Sequence, residues 1–92
     1  MKSHEIHAEI ALLLPRVDAR LDRDAIPLDD TPFQAYGLTS MATAQLASRI
    51  EDRFDIVLTD KDLFVATSMS RLVELVQRLV QARGTAAERT SS

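Results

Sequence analysis

The chain has no cysteine, only two glycines and three prolines, and no apolar run that approaches the length of a membrane span. Each shortage excludes something. Without cysteine there is no disulfide and no thiol chemistry from the protein's own side chains. With so little glycine and proline, most of the 92 residues are free to be regular structure. A bilayer-spanning helix needs roughly 20 apolar residues, and none is present. The N-terminal MKSHEIHAEI alternates charged and apolar residues and has no signal-peptide apolar core, so the cytoplasm is the expected compartment.

Excess charge is also small: 14 acidic against 11 basic side chains, a net charge of −3. It is unevenly spread. Residues 24–39 carry Asp24, Asp29 and Asp30 with no base, and residues 51–62 carry five acids against Arg53 and Lys61. Such a surface repels nucleic acid and anionic lipid, and it suits a basic protein partner. At 46% hydrophobic and 27% charged, the chain is a soluble globular one rather than a disordered one. Its length permits a single core, and a domain this small buries only roughly 60–65% of its unfolded surface.

The apolar spacing is helical. Ile6, Ile10, Leu13, Leu14, Val17 and Leu21 recur three or four apart, with Ser3 as a candidate cap. Pro15 interrupts this pattern and is expected to stop the first helix near Leu14 or to bend it. Residues 22–39, DRDAIPLDDTPFQAYGLT, read as a long loop. Ile26, Leu28, Phe33, Tyr36 and Leu38 should hold it against the bundle. A second helix is expected from Ser40 to about Phe54, with Ala44, Leu46, Ala47, Ile50 and Phe54 facing inward. Ile56 and Leu58 turn the connection inward, and Thr59 or Asp60 caps a short third helix ending near Phe64. A last helix follows Ser68 with Met69, Leu72, Val73, Leu75, Val76, Leu79 and Val80 as its stripe. Arg83 and Gly84 form its expected stop. The fold class is therefore all-α: a four-helix bundle of three main helices plus a short third one, over residues 1–84, with 85–92 as a disordered polar tail.

Ser40 is the residue of interest. It opens the second helix, where unpaired N–H groups and the helix dipole favour an anionic group by roughly 0.3–1 kcal/mol. Gly37 lets the chain turn just before it. Serine or threonine at a helix start is usually only a cap. Here Thr39 is the better cap, which leaves the Ser40 hydroxyl spare.

The run DDTPFQAYGLTSMATAQLASRIEDRFDIVLTDKDLF extends this reading. It combines Asp29-Asp30, Phe33, Gly37-Leu38-Thr39-Ser40-Met41, an amphipathic stretch through Leu46 and Ile50, then Glu51, Phe54, Ile56 and Leu58. Asp62-Leu63-Phe64 and the Ser68-capped helix follow. In this order and spacing, about 75 residues resemble the acyl and peptidyl carrier proteins of the phosphopantetheine-binding family. The resemblance implies a discrete, non-catalytic carrier with 4′-phosphopantetheine joined covalently to Ser40. The arm would supply the thiol that the chain lacks. One position departs from the family pattern: Thr39 stands where an aspartate usually precedes the serine. That aspartate also helps the transferase that installs the arm.

The partners so implied are a phosphopantetheinyl transferase, an acyl- or aminoacyl-loading ligase or adenylation enzyme, and an acyltransferase or ketosynthase. Leu38, Thr39, Met41, Ala42 and Gln45 are the expected contacts, on a monomer. The outer face of the second helix, with Ala42, Gln45, Arg49, Asp52 and Arg53, lacks the acidic stripe typical of fatty-acid carriers. This favours polyketide or nonribosomal peptide assembly, antibiotic pathways among them. Ala44 and Ala47, on the inward side, would leave some room for a sheltered cargo. The alternative is an unmodified helical interaction module, a degenerate carrier or a regulator.

Other features carry less. His4 and His7 have no third ligand nearby, and Asp60 and Asp62 lack a calcium-loop pattern. No Ser-His-Asp arrangement is available to make an enzyme. A pI of about 5.2 and the lack of an Arg/Lys-rich helix argue against DNA binding.

Overall fold

A computed structural model of the chain describes residues 1–91, with side chains described through residue 83. It is all-helical: α1 (Ser3–Val17), a 3₁₀ turn (Phe33–Tyr36), α2 (Ser40–Phe54), α3 (Asp60–Val65) and α4 (Met69–Ser91). Among the described residues, none forms a strand longer than the single bridge between Pro32 and Ser68. The core is built from the expected stripes. Ile6, Ile10 and Leu14 of α1 meet Leu46, Ala47, Ile50 and Phe54 of α2 and Met69, Leu72, Val73 and Val76 of α4. These spacings place one apolar stripe per helix toward a shared centre.

α1 continues through Pro15 to Val17 rather than ending at Leu14. A proline removes one backbone bond, but here it falls in the last turn. The Asp18 amide still closes that turn on the Leu14 carbonyl at 3.0 Å. Ser3 is the first helical residue and not the cap. Its hydroxyl donates to Gln77 Oε1 at 3.2 Å and so links α1 to α4.

The segment between α1 and α2 is fastened at several points. His7, read from sequence as an exposed polar residue, is half-buried and donates from Nε2 to the Ile26 carbonyl at 3.0 Å. The Phe33 amide donates to Thr67 O at 2.9 Å, and the Ser70 amide to Asp29 O at 3.1 Å. The Ser70 hydroxyl donates to the Asp30 carboxylate. Ile26, Phe33 and Leu38 are buried as expected, while Leu28 faces solvent at 39% exposure.

The turn from α2 to α3 relies on Glu51. Its Oε2 accepts the Leu58 amide at 3.0 Å, which holds Ile56 and Leu58 in the core. Thr59 caps α3 by accepting the Asp62 amide at 3.1 Å. The assigned α4 passes the stop expected at Gly84. One helical glycine costs only about 1 kcal/mol relative to alanine, and Ala86, Ala87, Glu88 and Arg89 beyond it are good helix formers. The polar tail read over residues 85–92 lies outside the residues whose side chains are described.

Glu51→Ala should lower stability by about 1–3 kcal/mol in urea unfolding, because the Leu58 amide loses its acceptor where burial is partial. Glu51→Gln, which keeps an acceptor oxygen, should recover at least half of that loss.

Candidate functional site

Gly37 adopts a left-handed backbone with φ of 81°, a region that side-chain-bearing residues rarely enter. The turn sends Leu38 into the core and brings Thr39 and Ser40 to the surface. Thr39 then caps α2: its Oγ1 accepts the Ala42 amide at 3.1 Å, and its carbonyl accepts the Thr43 amide at 2.9 Å. With the cap supplied by Thr39, the exposed Ser40 hydroxyl has no hydrogen bond among the described residues. The amides of Ser40 and Met41 belong to the first turn and have no acceptor within the helix. No acidic residue lies in that turn, so the positive end of α2 is not offset locally.

Two concavities flank this end of α2. The larger, a groove of about 500 Å³, runs from Ser40, Thr43 and Ala44 past Leu38 to Leu63 and Phe64 of α3. The smaller, about 200 Å³, brings Thr39, Met41, Ala42 and Gln45 together beside Asp18 and Arg20. Arg20 forms a fork on Asp18, with Nε at 3.0 Å and Nη2 at 2.7 Å from the two carboxylate oxygens. Hydrogen bonding from the Arg20 side chain, then from its backbone amide, lowers the Asp18 carboxyl to about 2. The wall of the small depression is therefore an ion pair rather than a free charge.

Of the expected site residues, Ser40, Thr39 and Gln45 are exposed, and Met41 is 72% exposed. Ala42, assigned to the outer face, is half-buried and packs on the core. Leu38 is only 5% exposed, so it anchors the loop and offers no surface to a partner. Ala44, expected inward, is exposed and lines the large groove. It sits to the side of the stripe formed by Leu46, Ala47, Ile50 and Phe54, since each helical step turns by about 100°.

Sequence reasoning missed Phe64, which is 86% exposed on the groove's rim, and Asp60 in its lining. A signal was available. A six-residue helix can turn only one side to the core, and in α3 Leu63 is partly buried there, so the run Leu63-Phe64-Val65 had to leave apolar groups outside. Among the described residues, no group of three or more His, Asp or Glu could hold a metal ion. No described helix is long and apolar enough to cross a membrane.

A family model described as the phosphopantetheine attachment site matches residues 8–80, from within α1 through the loop, α2 and α3 into the first half of α4.

The division of labour between adjacent hydroxyls is testable by stability alone. Thr39→Ala should cost about 0.5–2 kcal/mol through loss of the cap. Ser40→Ala should change stability by no more than about 0.5 kcal/mol, since its hydroxyl makes no hydrogen bond among the described residues. Parallel thermal melts of both variants measure the difference.

Proposed function

The chain belongs to the phosphopantetheine attachment family, and we propose that Ser40 is the residue to which its arm is attached. Members of this family are non-catalytic acyl carriers holding 4′-phosphopantetheine covalently on a serine, so the chain is a carrier and not an enzyme. When bound, the arm supplies a thiol able to hold an acyl or aminoacyl group as a thioester.

The observation that carries the assignment is the free, exposed hydroxyl at the first turn of α2. The other described serines are less suited. Ser3 and Ser70 are engaged with Gln77 and Asp30, and Ser68 is buried. Ser48 is exposed, but it lies mid-helix, where every amide already has an acceptor. At Ser40 the unpaired amides of the first turn favour a phosphodiester.

In the modification, Ser40 Oγ bonds to the pantetheine-bearing phosphorus of coenzyme A as the P–O bond to the adenylate phosphate breaks. Adenosine 3′,5′-bisphosphate leaves. The hydroxyl proton passes to a base on the transferase, since Ser40 Oγ has no hydrogen-bond acceptor among the described residues. Thr39, Met41, Ala42 and Gln45, gathered beside Ser40, form the proposed contact surface for the transferase, for a loading ligase or adenylation enzyme, and for an acyltransferase or ketosynthase. The uncharged first half of the outer α2 face supports a polyketide or nonribosomal peptide pathway over one read through an acidic helix. The cytoplasm, where coenzyme A is made, is the compartment this reading requires, and a monomer suffices for it.

Incubation with coenzyme A and a broad-specificity phosphopantetheinyl transferase should add one arm by intact mass, and Ser40→Ala should abolish the addition. An unchanged mass with several transferases would sink the assignment. Thr39→Asp should accelerate loading with helix content unchanged by circular dichroism. Slower loading would instead show that a dedicated transferase reads the threonine.

A further inference from the structure

The interior between α2 and α3 is closed. The void beside Ala47, walled by Phe33, Leu46, Leu63 and Leu72, measures about 10 Å³, room for a single water at most. The sheltered space that Ala44 and Ala47 suggested is therefore absent, and partners must be met at the surface.

Grooves lie on both sides of α3. Asp60, Leu63 and Phe64 line the one that begins at Ser40. Lys61 and Val65 line a second, of about 360 Å³, against Arg71, Glu74, Leu75 and Arg78 of α4. Leu75 is buried beneath it and Val65 is 55% exposed, so apolar surface lies among the charges. Those charges are unpaired. Asp62, also in the lining, is committed to the α3 cap, with Oδ2 accepting the Thr59 amide at 3.0 Å. Lys61, Arg71, Glu74 and Arg78 are exposed, and their side chains have no hydrogen-bond or ion-pair partner among the described residues. Glu74 lies three residues from Arg71 and four from Arg78, spacings that permit ion pairs, yet neither pair forms. In a chain of net charge −3, three unpaired cations thus converge on one groove.

We propose that this second groove docks a helix of a partner protein. The helix brings carboxylates two turns apart to Arg71 and Arg78, a base between them to Glu74, and an aliphatic side chain over Val65 and Leu75. The inference stands apart from the Ser40 assignment. Arg71 and Arg78 share a face of α4, with a rise of about 10.5 Å between them. Same-face residues of an extended segment lie about 6.6 or 13 Å apart and fit neither arginine pair nor gap. A helix repeats the spacing itself. Glu74, set between the arginines, disfavours nucleic acid and anionic lipid, which bring phosphates to every position. A second copy is disfavoured too, because two such faces paired in either direction set arginine against arginine. With α3 between the grooves, a helix docked here leaves the Ser40 side open. A further contact by the same partner at Ser40 then becomes intramolecular.

An alanine-rich helical peptide serves as the probe, with glutamate at its fourth and eleventh positions, leucine at the seventh and lysine at the eighth. Titrated into the unmodified full chain, it should shift the amides of Val65, Arg71, Leu75 and Arg78 and leave Thr39, Met41 and Gln45 unmoved. Arg71→Glu with Arg78→Glu should weaken it by about ten-fold, as two exposed pairs give way to repulsion. Helix content by circular dichroism should be unchanged in that double variant. A charge-reversed peptide, lysine at the outer positions and glutamate at the inner one, should bind the double variant and not the original chain. Inorganic phosphate at the same concentration should not move these amides together, and the chain should sediment as a monomer throughout. Equal binding of both peptides to the original chain, no groove shifts at millimolar peptide, or shifts centred on Met41 would each overturn the proposal. So would phosphate that matches the peptide, or self-association that the double variant loses.

Discussion

The hydrogen bond from the Ala42 amide to the Thr39 hydroxyl fixes what the neighbouring serine can do. A helix start has several amides to satisfy and a short list of side chains able to reach them. Had Ser40 taken that task, its oxygen would be turned back along the backbone and occupied. Gly37 makes the arrangement possible one step earlier. Its left-handed turn commits Leu38 to the core, and Thr39 and Ser40 then emerge in succession. A one-residue shift in the turn would put Ser40 in the capping position and Met41 at the first helical one. The hydroxyl left free is the one excused from capping.

The closed interior and the open groove have a common origin in size. A 92-residue chain buries a modest core and has little stability to spend on an internal void. Each missing contact inside a small bundle weakens it, whereas a groove on the outside removes nothing from the core. Its back wall is made rigid cheaply by main-chain contacts. The Phe33 amide on Thr67 and the Ser70 amide on Asp29 tie the long loop to the start of α4, and the Ser70 hydroxyl adds the Asp30 carboxylate. The aspartates of the loop thus act partly as fasteners, although sequence shows them only as an acidic run.

Much of the fold was legible because helix periodicity and capping are local. The bounds of α2, the Thr39 cap and the inward stripe of α4 depend on residues within a few positions of one another. The misreadings have a different character. Pro15 was tolerated because it falls in a final turn that Asp18 closes, and Ser3 gave up capping for a partner 74 positions away. Ala44 and Ala47 look equivalent in a stripe, yet one faces water and the other is buried, a net rotation of about 60° around α2. Leu38 appeared available to partners because it adjoins the serine, but the glycine turn points it inward. Phe64 is the costliest omission. An aromatic residue in an apolar run reads as core until the neighbouring helices are seen to leave it uncovered.

Under the proposal that Ser40 carries the arm, threonine in place of the aspartate expected at position 39 acts with opposite signs before and after modification. Before it, the entrance of α2 lacks a carboxylate that a basic transferase could attract, and long-range steering toward Ser40 is weaker. Afterwards, the phosphodiester beside Ser40 is spared a close anion. At about 4 Å such a pair repels by about 1 kcal/mol in water, and by several times that near a protein surface. The first half of the exposed α2 face is uncharged up to Arg49, and Asp18 beside it is already paired with Arg20. Charge is thus absent from the side of the helix proposed as the contact surface. On the proposed contact surface, recognition rests on the shape of Met41 and the amide of Gln45, with Thr39 supplying a neutral hydroxyl. A surface of this kind selects by fit at contact and forgoes attraction at a distance, which suits a carrier that must be released as readily as it is bound.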